Sequence, residues 1–96
     1  QLRRLTNGES AADYLSESAL SAAGYVRLQN QEYDVAVEIL SLTAELFPDS
    51  WNAYDRLGEA YAAAGKIDKA VASYERSLEL NPESESGKAA LEKLRR

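Results

Sequence analysis

The stretch Tyr54-Asp55-Arg56-Leu57-Gly58-Glu59-Ala60-Tyr61, followed by Gly65, Ala70, Tyr74 and Pro82, decides how the rest of the chain is read. Laid over the chain itself at an offset of 34 residues, it meets a second version of the same order. Gly24 falls on Gly58, Asp34 on Asp68, Ala36 on Ala70 and Val37 on Val71. Leu46 falls on Leu80 and Pro48 on Pro82, while Ser16, Ser50 and Ser84 form a series of three. Other columns keep their apolar character: Leu20 meets Tyr54, Tyr33 meets Ile67, and Leu40 meets Tyr74. Matches of this density at one offset mark an internal repeat, and a period of about 20–50 residues marks a stacked array of small structural units.

Each serine of the series opens an amphipathic run. A serine at an N-cap does this because its hydroxyl accepts one of the backbone N–H groups left free in the first turn. The spacing predicts helices at 17–29, 32–46, 51–63, 67–80 and 85–95. Gly65 stops the third of these, since a residue without a Cβ suits the left-handed backbone that closes a helix. Pro48 and Pro82 follow helix ends, where a continuing helix would clash with the ring. Thr6-Asn7-Gly8 reads as a turn, and residues 1–15 as a linker or, over 9–15, a short leading helix. Gly58 and Ala70 are small where the two helices of a pair approach closely, and Leu57, Tyr61, Val71 and Tyr74 fill the space between pairs. The first unit departs from the second at two columns, with Arg27 opposite Tyr61 and Gln31 opposite Gly65. Its apolar spacing persists through Leu20, Ala23, Val26, Val37 and Leu40.

The order Tyr54…Leu57-Gly58…Tyr61…Gly65…Ala70…Tyr74…Pro82 closely resembles the tetratricopeptide (TPR) repeat pattern, with Tyr54 in its tryptophan column. The resemblance covers residues 16–96. It implies an all-α fold, an antiparallel helix-pair solenoid. Its units are 17–50 and 51–84, and a C-terminal capping helix at 85–95 covers the last pair's apolar face. A narrower likeness rests on Ser16-Glu17…Ala23-Gly24-Tyr25 and on Glu45-Leu46-Phe47-Pro48-Asp49-Ser50…Tyr54-Asp55…Leu57-Gly58-Glu59-Ala60-Tyr61. These strings look like a TPR subgroup that follows bacterial serine-hydrolase domains of the beta-lactamase-like or esterase kind. Arg56 stands where that subgroup has Ser, and Ser21-Ala22-Ala23 replaces its Asn-x-Leu stretch. The implied setting is a C-terminal accessory domain of a larger bacterial protein. The opening Gln1-Leu2-Arg3-Arg4-Leu5 fits this expectation, reading as a cut end and not as a signal peptide.

Composition narrows the chemistry. The chain has neither Cys nor His. Disulfides, thiolate zinc sites and Cys or His catalysis are therefore excluded within it. The net charge is −5, and all but one of the 16 acids lie between Leu5 and Gly87. The bases Arg3, Arg4, Lys88, Lys93, Arg95 and Arg96 gather at the two ends instead. An acidic body argues against a nucleic-acid partner. No apolar run approaches the roughly 20 residues that a membrane span needs.

The remaining catalytic motifs are missing. A serine nucleophile needs an activating base, and the chain contains no G-x-S-x-G and no Ser-x-x-Lys. Gly87-Lys88 fails as a phosphate loop, with Pro82 in the first Gly position and Ala89 in that of Ser or Thr. Asp55 and Glu59, four apart, share a helix face without a loop to shape a pocket beside them. No D-x-D-x-D-G-like run offers a calcium site. The expectation is an interaction or scaffolding module, not an enzyme, with no cofactor and no metal.

In TPR proteins the first helix of each pair lines a concave face. Carried along the repeat offset, this resemblance sets Tyr25, Glu59 and Lys93 in one row and Ser21, Asp55 and Ala89 in another, with Ser18, Asn52 and Ser86 nearby. The candidate contacts are thus Ser18, Ser21, Tyr25, Asn52, Asp55, Glu59 and Lys93. The TPR domains of some chaperone adaptors grip acidic C-terminal peptides with Lys, Arg and Asn on this face. Here the matching columns hold Ser21, Tyr25, Asp55 and Glu59, and Glu59 is placed to neutralise Lys93. The expected partner is therefore a protein or peptide that is neutral or basic and not acidic. A hydrolase domain in the same chain is one candidate occupant, and self-association is another.

Overall fold

Ser16, Ser50 and Ser84 each start a helix by the same local bond. Their hydroxyls accept from the N–H three residues on, at 3.2 Å from Ala19, 3.1 Å from Ala53 and 3.1 Å from Gly87. The computed structural model describes residues 16–95. It contains α1 (Glu17–Gln29), α2 (Tyr33–Leu46), α3 (Trp51–Ala63), α4 (Ile67–Leu80) and α5 (Glu85–Leu94), with no β-strand among the described residues. Glu32 and Arg95, expected at helix ends, fall just outside as flanking residues. The linker or leading helix expected in residues 1–15 lies outside the described residues. No described helix is long and apolar enough to cross a membrane.

Short connections fold α2 back on α1 and α4 back on α3. Both turns close in the same way. The N–H of Glu32 bonds the carbonyl of Arg27 at 2.9 Å, and the N–H of Lys66 bonds that of Tyr61 at 2.8 Å. One residue earlier the chain turns left-handed, with φ 65° at Gln31 and φ 84° at Gly65. The N–H groups of Gln31 and Gly65 add a second bond to each turn, to the carbonyls of Leu28 and Ala62 at 3.0 Å, so that carbonyls a helix end leaves free are satisfied.

Within each pair the helices touch at a glycine. A Cβ on Gly24 would stand 2.6 Å from Cγ of Leu40, and a Cβ on Gly58 would stand 2.8 Å from the Tyr74 ring. The small residue of one helix thus seats the large residue of its partner, in both pairs and at the same column. The main core runs through Leu28, Ala36, Leu40, Ala44, Ala53, Leu57 and Ala60, with Tyr33, Val37, Tyr54 and Tyr61 packed against it. α5 lies against α4 and buries Gly87 and Leu91.

Two expected core positions of the first unit are not in the core. Ala23 is exposed and Val26 is 51% exposed, whereas α1 buries Ser21, Gly24 and Leu28. The reason is positional. The matching α3 residues, Leu57 and Ala60, are covered by α1 and α2, but no described helix pair stands before α1 to cover its own column.

Candidate functional site

Asn52, Asp55, Arg56 and Glu59 are spaced so that one face of α3 carries all four. Two neighbouring clefts flank them. One, of about 220 Å³, is lined by Trp51, Asn52, Asp55, Arg56, Glu59, Tyr74 and Ser86. The other, of about 360 Å³, is lined by Ser18, Ser21, Ala22, Tyr25, Asn52 and Arg56. Asn52 and Arg56 belong to both, so the two hollows adjoin across α1 and α3.

Arg56 is the hinge between them. Its guanidinium lies 4.4 Å from the centroid of the Tyr25 ring and 3.6 Å from a carboxylate oxygen of Glu59. Stacking of this kind contributes about 0.5–1 kcal/mol at an exposed site, and a half-exposed ion pair about as little. The value of the arrangement is therefore geometric: it holds the Tyr25 ring and the Glu59 carboxylate in a fixed relation across two helices.

Asp55 is tied up by its neighbours. One carboxylate oxygen accepts from the Ser77 hydroxyl at 2.8 Å and the other from the Ser86 hydroxyl at 2.7 Å. Ser77 is fully buried on α4 and Ser86 sits at the start of α5, so Asp55 fastens three helices together. Tyr74 lies behind it. Burial, then the negative charges of Glu59 and Asp55, push its hydroxyl up to about 12, with Arg56 pulling the other way. It stays neutral across the physiological range.

The sequence-derived candidates divide on this geometry. Ser18, Tyr25, Asn52, Asp55 and Glu59 line the two clefts. Ser21 borders one of them but is only 8% exposed, and its hydroxyl has no hydrogen-bond partner among the described residues. Lys93 is exposed on α5 and lines neither cleft. Glu59 pairs with Arg56 and not with Lys93. Sequence reasoning passed over Arg56, Trp51 and Tyr74 as lining residues. Arg56 carried a usable signal, being three positions before Glu59 and so on the same face.

The chemistry on offer is recognition. The face presents an amide, a guanidinium, carboxylates, hydroxyls and a tyrosine ring. Among the described residues no group of three or more His, Cys, Asp or Glu is placed to hold a metal ion.

Comparison with known proteins agrees with this description. Residues 51–84 match the tetratricopeptide repeat family model. The chain is 36% identical over 92 residues to the Hsp70-Hsp90 organizing protein of Triticum aestivum, a match covering 86% of the chain and 16% of that protein. It thus spans about a sixth of the curated relative's length. The first TPR domain of the human RPAP3 protein, an NMR structure, superposes with a TM-score of 0.82 at 27% identity, covering 88% of this chain and 66% of that one. The first TPR of Spaghetti (RPAP3), bound to the HSP90 peptide SRMEEVD, superposes with a TM-score of 0.80 at 27% identity, covering 88% and 67%. Residues 51–84 are accordingly a tetratricopeptide repeat, and the chain has the TPR-like helical-solenoid fold.

Proposed function

We propose that the face carried by α1 and α3 docks a segment of another protein, with Tyr25, Asn52, Arg56 and Glu59 at its centre and Ser18 at its edge. The observation that carries the reading is the pair of adjoining clefts joined at Asn52 and Arg56. Such a surface suits an extended chain, which offers a backbone amide or carbonyl at each residue for Asn52 to bond and side chains to rest on Tyr25. The peptide-bound relative supports the class of partner. Asp55 acts here as a positioning residue, since both its oxygens are engaged by serines.

The charge of the partner follows from the same residues. Glu59 balances Arg56, and Asp55 adds a negative charge beside them. A neutral or basic segment therefore fits better than an acidic one, because like charges brought together at an interface are unfavourable. The test is titration of the domain with sequence-matched basic and acidic peptides and with SRMEEVD, at low and moderate salt. Basic peptides should bind most tightly, Glu59→Lys should reverse the order, and Tyr25→Ala should weaken all binding. Tighter binding of the acidic peptides by the unaltered domain would overturn the charge preference. No binding of any peptide would overturn the docking reading.

A second reading is favoured by the strings around Gly24 and Gly58. It makes the chain a C-terminal accessory domain of a larger bacterial protein, packed on a hydrolase domain or mediating self-association. The small share of the curated relative that the chain spans is compatible with a domain of this kind. Reading the gene on the 5′ side of the Gln1 codon tests this reading: hydrolase motifs in the same frame would favour it, and their absence would remove it.

A further inference from the structure

Among the described residues, three basic side chains lie over tyrosine rings. Lys69 stands 5.9 Å from the centroid of Tyr61, Arg76 5.8 Å from that of Tyr54, and Arg56 4.4 Å from that of Tyr25. The Arg56 contact is the shortest of the three, and both its residues line the cleft of about 360 Å³ at α1 and α3. The same guanidinium lies 3.6 Å from a carboxylate oxygen of Glu59. A ring face on one side and a carboxylate at the edge make a seat for a planar cation. The chain fills that seat with its own side chain.

The repeat does not ask for a cation there. The column of Arg56 holds Ala22 in α1 and Ala90 in α5, so the frame is built with a small residue at this position. The hold on Arg56 is also light. Its side chain is 38% exposed and that of Glu59 46%, and ion pairs this open to water contribute little. Turning Arg56 outward leaves no buried charge behind. It bares the face of Tyr25 and frees the Glu59 carboxylate. Ser21, on the wall of the same cleft, has a buried hydroxyl with no hydrogen-bond partner among the described residues. That oxygen is an unused acceptor, and a guanidinium carries five N–H donors.

We propose that Arg56 is a displaceable stand-in for an arginine of the docked segment. The seat has a use only where this face docks a segment, so the assignment rests on the reading given above. The incoming guanidinium lies on Tyr25 and donates to Glu59, while Arg56 turns to solvent. Lysine fits the seat less well, since its ammonium is a point charge and cannot lie flat on a ring while donating at its edge. Arg56 thereby determines specificity. It competes with every incoming cation, and the segments that displace it are those whose arginine is backed by further contacts.

The test uses three basic peptides alike except at one position, which is arginine, lysine or citrulline, the neutral isostere of arginine. By calorimetric titration, Arg56→Ala should tighten the arginine peptide by about fivefold, the size of one freed ring contact and one half-exposed ion pair. The lysine peptide should gain less, and the citrulline peptide should be unchanged. Removing a positive charge would by itself favour arginine and lysine alike, so an equal gain for both would overturn the proposal. Adding Glu59→Gln to Arg56→Ala should cancel the gain. Should Arg56→Ala lower helicity, Arg56→Gln repeats the test with the side-chain length kept. In the unaltered domain, the Tyr25 ring should shift the side-chain protons of Arg56 upfield in NMR spectra. Binding of the arginine peptide should return them to ordinary positions and shift the peptide's arginine upfield instead. Arg56 protons that stay upfield in the complex, or weaker binding by Arg56→Ala, would overturn the proposal and leave docking itself standing. No binding of any peptide by the unaltered domain or by Arg56→Ala would overturn both.

Discussion

At the turn that closes α1 the left-handed residue is Gln31, with φ 65°, and at the turn that closes α3 it is Gly65, with φ 84°. The two turns make the same hydrogen bonds, so the backbone frame of the repeat survives a residue poorly suited to it. The pairs differ in a similar way inside. Gly24 seats an aliphatic residue, Leu40, and Gly58 seats an aromatic one, Tyr74. At the next column Tyr61 packs on the core, while Arg27 turns outward to Glu32 at 3.2 Å. What the repeat conserves is therefore spacing, caps and the small-against-large contact. What it lets vary is the chemistry of each face, which depends on whether another helix covers it.

The largest expected effect comes from making the second pair as uncovered as the first. Deleting residues 84–96 strips Leu91 from the trailing side of α4 and removes the Ser86 bond to Asp55. Burial of a leucine alone is worth about 1.5–3 kcal/mol, and terminal units of a solenoid need a polar outer face. Aggregation or a markedly lower melting temperature is expected by light scattering and circular dichroism. A truncated chain that stays monomeric and equally stable would make α5 a tail and not a cap.

Next in size is the glycine contact. Gly58→Leu and Gly24→Leu should each destabilise by about 1–3 kcal/mol or more, since neither Tyr74 nor Leu40 has room to retreat. The contacts are specific to each pair. Leu40→Ala should therefore relieve the cost of Gly24→Ala and leave that of Gly58→Ala unchanged. Equal relief at both glycines in denaturant melts would mean the pairs are not independent at this column.

Exchanging the turn residues gives smaller effects of opposite sign. Gly65→Gln should cost about 1–2 kcal/mol, the usual cost of left-handed backbone with a Cβ. Gln31→Gly should gain about 0.5–1 kcal/mol, because the relief of that strain is partly offset by the greater freedom of the unfolded glycine chain. A Gln31→Gly variant that melts below the parent would show that the Gln31 side chain has a role of its own.

The smallest effect appears only in alkali. Tyr74 has a folded value of about 12 against an ordinary value of 10.0, so its neutral form is favoured by folding. Its contribution is intact below pH 10 and is lost as the pH rises towards 12. Leu40, its counterpart, cannot titrate. Tyr74→Phe should move the alkaline unfolding transition, followed by circular dichroism, to higher pH. An unchanged midpoint would show that folding does not raise the Tyr74 hydroxyl above its ordinary value.

The helix starts, the turns and the repeat period were legible in the residues alone. Each rests on chemistry a few positions long: a serine hydroxyl reaches the N–H three residues on, and a glycine accepts left-handed backbone. That Gly58 marks a close approach within its pair was legible too, but Tyr74, expected between pairs, instead seats on Gly58 within its own pair, and Leu40 does the same on Gly24. Burial was a different matter. Val26 and Ala60 occupy one column, yet one is 51% exposed and the other 0%, because α1 and α2 cover the second and no described pair covers the first. The candidate site divides along the same line. That Asn52, Asp55 and Glu59 share a face follows from helical spacing. That Arg56 lies over Tyr25, that Asp55 is held by Ser77 and Ser86, and that Lys93 stands apart depend on how separate helices meet. Those distances are not encoded in any local run of residues, and only the packed molecule sets them.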